Sequence, residues 1–438
     1  MQYLKEPAAD PFSGYRIPAD VQETVGDIVS EIRSRGDEAV REFTERFDEV
    51  TREQNRLSED EISTAIDAVS DEEKRIIDNS IENIRQFAAA QLDHVEEFEV
   101  ERDDGVTLGQ KLVPVEKAGA YVPGGQYPLL SSSLMAIVPA AVAGVEKIVA
   151  ASPPQEDGLP HPATVYGAQK AGADEIYAVG GSQAVAAMAT GTDEIERVDK
   201  IVGPGNVFVT EAKRQVFGEV GIDLLAGPSE ILVLADESAD PELVAADLLA
   251  QAEHDANARP LLVTTSERTG ESVIEEVQTQ LESLSTAAVA RESWDQMGAV
   301  IVAEDLDEAV AVSDDLAPEH LEIQTENPRD VLDQLSNYGT LFLGEHSANA
   351  FADKLVGTNH ILPTQQSARY TAGLSVHKFI KHQTYQEVSE EGARTLEPWA
   401  TRQSEIEQLE GHAKSSFIRP TKNDLEAYDE TDHRLPDE

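Results

Sequence analysis

The stretch Ile-Leu-Val-Leu-Ala at residues 231–235 is the clearest indication of the fold. Five consecutive apolar residues are typical of a strand that is covered on both faces, as in a parallel sheet. Asp240 and Pro241 follow, a helix N-cap residue and a first-turn proline. A second apolar run, Leu-Leu-Val-Thr, occupies residues 261–264. Strand, helix and strand in this order predict a parallel α/β unit.

The same alternation extends along the chain in both directions. Helical periodicity precedes it, and a hairpin signal surrounds Asp104 and Gly105. Further short strands are predicted at 148–151, 175–179 and 200–202 before this stretch and at 299–303, 321–324 and 340–343 after it, and amphipathic helices are predicted over 21–47 and 58–92. The pattern therefore predicts two parallel α/β sheets.

Breaks that contain glycine and proline suggest where the domains divide. Gly227-Pro228 separates the two series of strands, and the turn at 121–125 precedes the first series. We expect the N-terminal helices to pack with the second sheet. The predicted units are residues 1–119 with 231–370 as a discontinuous α/β domain carrying the metal and catalytic residues, 120–230 as a cofactor domain, 371–415 as a C-terminal helical arm and 416–438 as an acidic tail.

The charge of the chain restricts its partners. In 438 residues, 84 acidic side chains against 34 basic ones leave a net charge of −50, which repels nucleic acid and anionic lipid. The acids are interleaved with apolar residues throughout, which indicates a folded protein adapted to high salt, where the Debye length falls to ~3 Å. No apolar stretch approaches the roughly 18 residues of a membrane span, and the N-terminal residues do not resemble a signal peptide. We therefore expect a cytoplasmic protein.

Six segments carry side chains suited to metal binding or proton transfer, and the chain has no cysteine. Chemistry at an aldehyde or acyl centre must then use water activated by a base or a metal in place of a thiolate. The segments are Gln-Ala-Glu-His at 251–254, Ala-Pro-Glu-His-Leu-Glu at 317–322, Asp353 with Gly-Thr-Asn-His at 357–360, Ala-Gly-Pro-Ser-Glu at 226–230, Val-Gly-Pro-Gly-Asn at 202–206, and Glu407 with His412.

Two of these segments suggest a metal site. Gln251 and His254 lie three positions apart in a predicted helix, about 60° apart around its axis, and could bind one ion. A solvated polar face is the alternative, and it is the commoner origin of an isolated Gln-x-x-His. Asp353 and His360 add a carboxylate and an imidazole. Nitrogen and oxygen ligands without sulfur suit zinc, and manganese or cobalt could substitute.

Two other patterns suggest catalysis and phosphate binding. Glu319 and His320 are adjacent bases just before a predicted strand, although an exposed pair at the sheet edge would look the same. Gly180-Gly181 and Gly203-Pro204-Gly205 each follow a strand and begin a helix, so their N–H groups could bind a phosphate. Neither forms the Gly-x-Gly-x-x-Gly fingerprint of dinucleotide-binding folds.

In this order and at these separations, the segments resemble the histidinol dehydrogenase family over residues 15–412. The resemblance implies an α/β fold with two incomplete Rossmann-like parallel-sheet domains, N-terminal helices and a helical C-terminal dimerisation arm. It also implies the oxidation of L-histidinol to L-histidine through L-histidinaldehyde with NAD and one zinc ion per subunit. These are the last two steps of histidine biosynthesis. A homodimer with shared active sites is implied as well.

The resemblance further implies roles for particular residues. Glu319 and His320 correspond to the catalytic pair. Glu410 is an alternative to Glu407 as a substrate contact. The family's zinc ligands correspond to Gln251, His254, Asp353 and His412; its substrate contacts to these four with Ser229, His320, His360 and Glu407; and its NAD contacts to Tyr121, Gln183 and Asn206.

Two other classes of protein fit some of these residues. A zinc-dependent amidohydrolase-type hydrolase would use similar ligands and a glutamate base without a nicotinamide. A metal-binding assembly protein could keep the fold without turnover. A thiol-dependent aldehyde dehydrogenase is excluded because the chain has no cysteine. His346, His377 and His382 match no motif, and we expect them on the surface.

Overall fold

The computed structural model describes residues 2–9, 16–124 and 130–420. Most of the predicted acidic tail, and Gly125 in the predicted turn, lie outside the described residues. The chain forms two compact units. The first comprises Met1–Leu92 and Val115–Phe379, and the second comprises Asp93–Pro114 and Ile380–Glu438.

Strands and helices alternate along most of the chain, as the sequence predicts. The strands are β1 Gln2–Lys5, β2 Phe98–Arg102, β3 Val106–Pro114, β4 Lys117–Tyr121, β5 Lys147–Ser152, β6 Glu175–Ala178, β7 Lys200–Val202, β8 Gly221–Ile222, β9 Glu230–Ala235, β10 Arg259–Thr264, β11 Ala299–Val302, β12 His320–Gln324, β13 Thr340–Leu343 and β14 Ile380–Val388. The α-helices are α1 Ala19–Arg35, α2 Asp37–Asp48, α3 Glu59–Ala68, α4 Asp71–Asp93, α5 Leu130–Ala143, α6 Pro162–Ala171, α7 Gly181–Thr190, α8 Val207–Val216, α9 Pro241–Ala252, α10 Glu267–Leu281, α11 Ala287–Gln296, α12 Leu306–Leu316, α13 Pro328–Leu332, α14 Asn349–Phe351, α15 Glu390–Ile406 and α16 Glu410–Phe417.

Two parallel sheets organise the first unit, which confirms the mixed α/β class. One sheet has the order β6-β5-β4-β7-β8, and the other has the order β1-β11-β10-β9-β12-β13. All neighbours are parallel except β1, which runs antiparallel to β11 at the edge. When the parallel strands of each sheet are numbered 1 to 5 as they occur along the chain, both sheets have the strand order 3-2-1-4-5. In each sheet, the direction in which successive strands are added therefore reverses beside the first strand, which is β4 in one sheet and β9 in the other.

The second sheet is covered on both faces, which explains the unbroken apolar run in β9. Ile231 and Val233 pack with α9, α10 and α11. Leu232 and Leu234 lie in a separate cluster with α12 on the opposite face. Because successive side chains of a strand point to opposite faces, each of these residues must be apolar.

The N-terminal helices pack differently from our expectation. Helices α1 and α2 bury Val25, Ile32 and Val40 in one cluster with Tyr121 and residues of α7 and α8. They therefore cover the first sheet, and the predicted packing with the second sheet is wrong. The apolar period of a helix specifies which of its faces is buried, but the period does not specify which sheet buries that face.

The second unit contains a three-stranded antiparallel sheet in the order β14-β3-β2. Strands β2 and β3 confirm the hairpin predicted around Asp104 and Gly105. Strand β14 falls within residues 371–415, where the sequence predicts a helical arm, and pairs with β3 over nine residues. Helices α15 and α16 follow it and pack together through Thr401 and Ser416, whose hydroxyl oxygens are 2.9 Å apart. No helix in the described ranges is long and apolar enough to cross a membrane.

A carboxyl group is buried within the second sheet. Glu322 in β12 has no exposed surface and accepts a hydrogen bond from Gln324. Burial raises the pKa of Glu322 well above its usual range, and the nearby carboxylate of Asp247 in α9 raises it further. Burial also raises the pKa of Asp247. At neutral pH, Glu322 is therefore held in its neutral form.

We expect the substitution Glu322→Gln to reduce the pH dependence of stability. The folded-state pKa of Glu322 lies above its unfolded value. The stabilisation that Glu322 contributes to the folded state is therefore present at low pH and is lost as pH rises through the folded pKa. The wild type should therefore lose stability between pH 5 and 9, by up to roughly 1.4 kcal/mol per pH unit, more steeply than the variant. Urea unfolding at fixed KCl measures this, and the exposed Glu326→Gln serves as the control. Parallel pH profiles for wild type and Glu322→Gln would contradict the assignment.

Candidate active site

The larger cavity of the first unit contains the three predicted cofactor residues. Its volume is about 1010 Å³, and Tyr121, Gln183 and Asn206 all line it. Tyr121 ends β4, Gln183 lies in the first turn of α7, and Asn206 is the N-cap of α8. They meet at the carboxyl edge of the first sheet, close to the reversal of strand order where parallel sheets commonly bind ligands.

Two of the predicted phosphate-binding glycines, Gly181 and Gly203, donate hydrogen bonds within the protein. The Gly181 N–H donates to the Tyr121 hydroxyl at 3.1 Å, and the Gly203 N–H donates to Asp223 Oδ2 at 2.7 Å. Gly203 has φ +117°, and a Cβ there would lie 2.0 Å from the Tyr121 carbonyl oxygen. Asp223 also forms a buried ion pair with Lys213, which donates to the Gly203 carbonyl. These contacts fix the loop that leads to Asn206.

A smaller cavity brings together the predicted metal, catalytic and substrate residues of the first unit. Its volume is about 600 Å³, and it shares Pro123 and Asn206 with the larger cavity. The two cavities therefore adjoin. The predicted residues that line the smaller cavity are Ser229, Gln251, His254, Glu319, His320, Asp353 and His360.

Glu319 and His320 are held by the main chain of one residue, Glu230. The Glu230 N–H donates to Glu319 Oε2 at 2.8 Å, and its carbonyl oxygen accepts from His320 Nδ1 at 2.9 Å. Both residues are buried, at 7% and 4% exposed, so the alternative of an exposed pair is wrong. Ala317, two residues before Glu319, has φ +46°, a conformation that a non-glycine residue adopts only under strain.

His320 is built to exchange a proton at its second ring nitrogen. Because Nδ1 donates to the main chain, Nε2 carries the free lone pair of the neutral ring, and it has no hydrogen-bond partner among the described residues. Burial lowers the pKa of His320, but the Glu319 and Asp353 carboxylates and the Glu230 carbonyl outweigh burial and raise the pKa to about 9. At neutral pH the ring is therefore mostly protonated, and Nε2 can accept a proton only in the neutral fraction, which grows as pH rises.

Gln251 and His254 lie at the carboxyl end of α9. The structure confirms the Asp240 N-cap, which accepts from the Glu242 N–H. His254 lies beyond the last helical residue, Ala252, so its predicted position within the helix is wrong. Its Nδ1 donates to the Ala250 carbonyl at 2.9 Å, and this bond leaves Nε2 as the electron-pair donor. Asn349 Nδ2 donates to Gln251 Oε1 at 2.9 Å and orients that amide.

Asp353 lies in a single turn of π-helix, Ala352–Val356. Such turns are rare and occur frequently at functional sites. Gly357 ends the turn with φ +104° and packs against the Asn83 carbonyl, where a Cβ would lie at 2.5 Å. His360 Nδ1 lies 3.9 Å from Asp353 Oδ1 and donates to the Asp353 carbonyl, while its Nε2 lies 3.4 Å from the Ser132 hydroxyl. Burial lowers the pKa of His360 and favours the neutral ring.

Glu407 and His412 belong to the second unit. Glu407 is the C-cap of α15 and accepts from Gln403 Nε2 at 3.0 Å. His412 lies in α16, and both side chains are exposed. The competing Glu410 pairs with Lys414. His346, His377 and His382 are exposed, as predicted.

The donors of the smaller cavity are chemically suited to zinc. His254 offers an imidazole nitrogen, Asp353 a carboxylate and Gln251 an amide oxygen, all accepted by this ion. No group of three or more His, Asp or Glu side chains among the described residues could hold an ion. A set of Gln251, His254 and Asp353 contains only two side chains of those types and is compatible with that finding.

Sequence reasoning assigned no role to three residues that support or extend this site. Glu230 forms an ion pair with Arg259 at 2.8 Å, in which both side chains are 6% exposed. Asn349 lies 98 positions from the Gln251 that it orients. Asp48 lines the larger cavity beside Gln183. Of the three, only Glu230 gave a signal in the sequence. A charged residue at the start of a buried apolar strand indicates that it has a charged or hydrogen-bonding partner.

A large cavity at the carboxyl edge of a parallel sheet, adjoining a polar cavity with a buried Glu–His pair, is the layout expected of an enzyme that brings two substrates together. Comparison with known proteins identifies the family. A family model described as histidinol dehydrogenase matches residues 15–420. The chain therefore belongs to the histidinol dehydrogenase family, whose members are NAD-dependent oxidoreductases.

Individual relatives agree with this assignment. A histidinol dehydrogenase homolog of Shouchella clausii is 47% identical over 91% of this chain and 94% of its own length. The histidinol dehydrogenase of Methanosarcina mazei is 44% identical over 92% of each chain. The crystal structure of the histidinol dehydrogenase of Elizabethkingia anophelis superimposes with a TM-score of 0.89 at 38% identity, over 93% of this chain and 94% of that one. No finding supports the hydrolase alternative.

We expect Arg259→Met to destabilise the fold because it leaves the buried Glu230 carboxylate without its ion partner. Burial raises the pKa of Glu230 to about 7, so partial protonation limits the loss. The expected cost in the free energy of unfolding is about 3 kcal/mol. Urea denaturation measures it, and the double variant Arg259→Met with Glu230→Gln should recover part of the loss. If the double variant were less stable than Arg259→Met alone, this account would be wrong.

Proposed function

We propose that this protein oxidises L-histidinol to L-histidine through L-histidinaldehyde, with two molecules of NAD and one zinc ion per subunit. The observation that carries the proposal is the adjoining pair of cavities, one of dinucleotide size and one lined by bases and metal donors, which meet at Pro123 and Asn206. A cofactor in the larger cavity could then reach a substrate in the smaller one. As a biosynthetic enzyme, it would work in the cytoplasm.

The donors of the smaller cavity match the chemistry of histidinol, which carries an amine, an imidazole and a primary alcohol. Ser229, His360 and Asp353 offer polar partners to these groups within one cavity. Gln251, His254 and Asp353 would hold the zinc, which when bound would supply a Lewis acid that polarises the substrate oxygen. His412 is proposed as the fourth ligand, and Glu407 as a further substrate contact.

His320 and Glu319 are assigned separate roles. In the first half-reaction, His320 Nε2 takes the hydroxyl proton as a hydride leaves the carbinol carbon. The chain has no cysteine that could add to the aldehyde, so water attacks the aldehyde and Glu319 takes a proton from that water. Loss of a second hydride from the resulting gem-diolate gives the carboxylic acid, which releases a further proton to form the carboxylate. NAD supplies the acceptor for each hydride, so two NADH form per histidinol.

The second unit supports the proposal of a homodimer. It exposes large apolar side chains on its sheet and helices: Phe98, Val100, Leu108, Val388, Trp399 and Ile406. Apolar surface of this kind commonly marks a protein–protein contact. A second copy of the chain is the proposed occupant, with Glu407 and His412 of one subunit completing the site of the other.

The acidic composition supports a further proposal, that the protein is adapted to a salty cytoplasm. A net charge of −50 opposes compaction in dilute buffer. Salt at molar concentration reduces the range of that repulsion to ~3 Å. Stability and activity should therefore increase with salt.

The first test is the stoichiometry of the reaction. We expect two NADH per L-histidinol consumed, measured by absorbance in multimolar KCl, with activity lost on chelation and restored by zinc. One NADH would mean that the aldehyde is released, and none would contradict the assigned reaction. Repeating the assay in dilute buffer tests the salt proposal, which fails if activity is equal or higher there.

The second test separates the two half-reactions. We expect Glu319→Gln to lower the oxidation of supplied L-histidinaldehyde by about 10² to 10⁴-fold, since general-base catalysis contributes that much. Binding of NADH, measured by fluorescence, should be unchanged. Glu345→Gln, whose side chain is 56% exposed, removes the same charge as a control. Retained aldehyde oxidation by Glu319→Gln would show that another group activates the water.

A further inference from the structure

The larger cavity has acidic and neutral polar residues in its wall and no lysine or arginine among its described lining residues. Sites that accept the 2′-phosphate of NADP commonly place an arginine nearby. Several main-chain donors at this wall are also used. The Gly181 N–H donates to Tyr121, and the N–H groups of Phe208 and Val209 both donate to Asn206 Oδ1. Among its described lining residues, this wall therefore offers carboxylates that can accept from hydroxyl groups, and no lysine or arginine for a 2′-phosphate.

Asp48 is the carboxylate placed to bind those hydroxyl groups. It is the last residue of α2 and is half-buried, and its Oδ2 accepts from Gln183 Nε2 at 3.4 Å. Its Oδ1 lies beside Gly180, 3.2 Å from where a Cβ of that glycine would be. Burial raises the pKa of Asp48 to about 6, so the group is mostly ionised at neutral pH.

A carboxylate can accept several hydrogen bonds, and Asp48 has one described partner, Gln183. The two hydroxyl groups of a ribose offer two donors on adjacent carbons, which one carboxylate can accept together. A 2′-phosphate would replace one of these donors by a group of about −1.5 to −2 charge. Half-buried charges are screened by salt much less than exposed ones, so the repulsion would persist in a salty cytoplasm.

We propose that Asp48 accepts the hydroxyl groups of the adenosine ribose and thereby makes the protein select NAD over NADP. This inference rests on the proposed function, because it takes the larger cavity as the dinucleotide site. It adds a residue to Tyr121, Gln183 and Asn206 and assigns that residue a role in specificity.

Calorimetric titration of the full-length protein with NADH and with NADPH, at one KCl concentration, tests the proposal. We expect the wild type to bind NADH at least about tenfold more tightly than NADPH, a difference of about 1.4 kcal/mol. Asp48→Asn should weaken NADH binding and reduce the preference about tenfold, which matches the loss of one charged hydrogen bond. Asp48→Ser should act in the same direction. Glu45→Gln removes the same charge from an exposed position one turn earlier in α2 and should keep the wild-type preference.

The outcomes separate this inference from the function on which it rests. Tight NADH binding with an unchanged preference in both Asp48 variants would overturn the role of Asp48 and leave the proposed function intact. An equal loss of preference in Glu45→Gln would also overturn it, because the effect would then come from net charge. If the wild type bound neither nucleotide, the proposed function itself would fail. Far-ultraviolet circular dichroism of each variant confirms that the binding data refer to folded protein.

Discussion

The active-site geometry depends on Glu230, the first residue of β9. Its N–H and carbonyl hold Glu319 and His320, and its carboxylate accepts from Arg259 Nη1 and from the Gln365 N–H. Register explains why one residue can do this. β9 lies between β10 and β12. On the β10 side Glu230 pairs with Arg259, and on the β12 side its neighbour Ile231 pairs with His320. Moving β9 by one residue would place the charged group on the wrong face and separate Glu319 and His320 from the Glu230 N–H and carbonyl.

This constraint places the chemistry at an uncommon edge of the sheet. Parallel α/β sheets usually bind ligands beyond the carboxyl ends of their strands, and the larger cavity follows that rule beside Tyr121 and Asn206. Glu230 and His320 instead begin their strands, so the smaller cavity lies at the amino edge of the second sheet. Because the two cavities meet at a shared wall, the carboxyl edge of one sheet faces the amino edge of the other. A cofactor and a substrate can therefore be bound by separate sheets and still be in contact.

The elements that sequence reasoning predicted correctly are those whose signal is local. An unbroken apolar run such as 231–235 can be satisfied only between two covered faces, and Asp240 with Pro241 specifies a helix start by itself. Contacts between distant positions give no such signal. The packing of α1 and α2 on the first sheet depends on tertiary fit, and nothing near Asn349 indicates that it orients Gln251. Family resemblance supplied the separate site residues, but the resemblance does not indicate what holds them in place.

The net charge of the molecule limits which interactions its cavities can use to bind an anionic ligand. A surface with a net charge of −50 attracts a cationic amino alcohol and repels an anionic dinucleotide, and salt weakens both effects at long range. Recognition of the dinucleotide therefore has to come from short-range contacts. The larger cavity has the composition that this requires: Tyr121, Phe47 and Phe208 offer aromatic surface, and Gln183 and Asn206 offer amides. Adding lysine or arginine to this wall would strengthen phosphate binding, but it would also admit the 2′-phosphate of NADP.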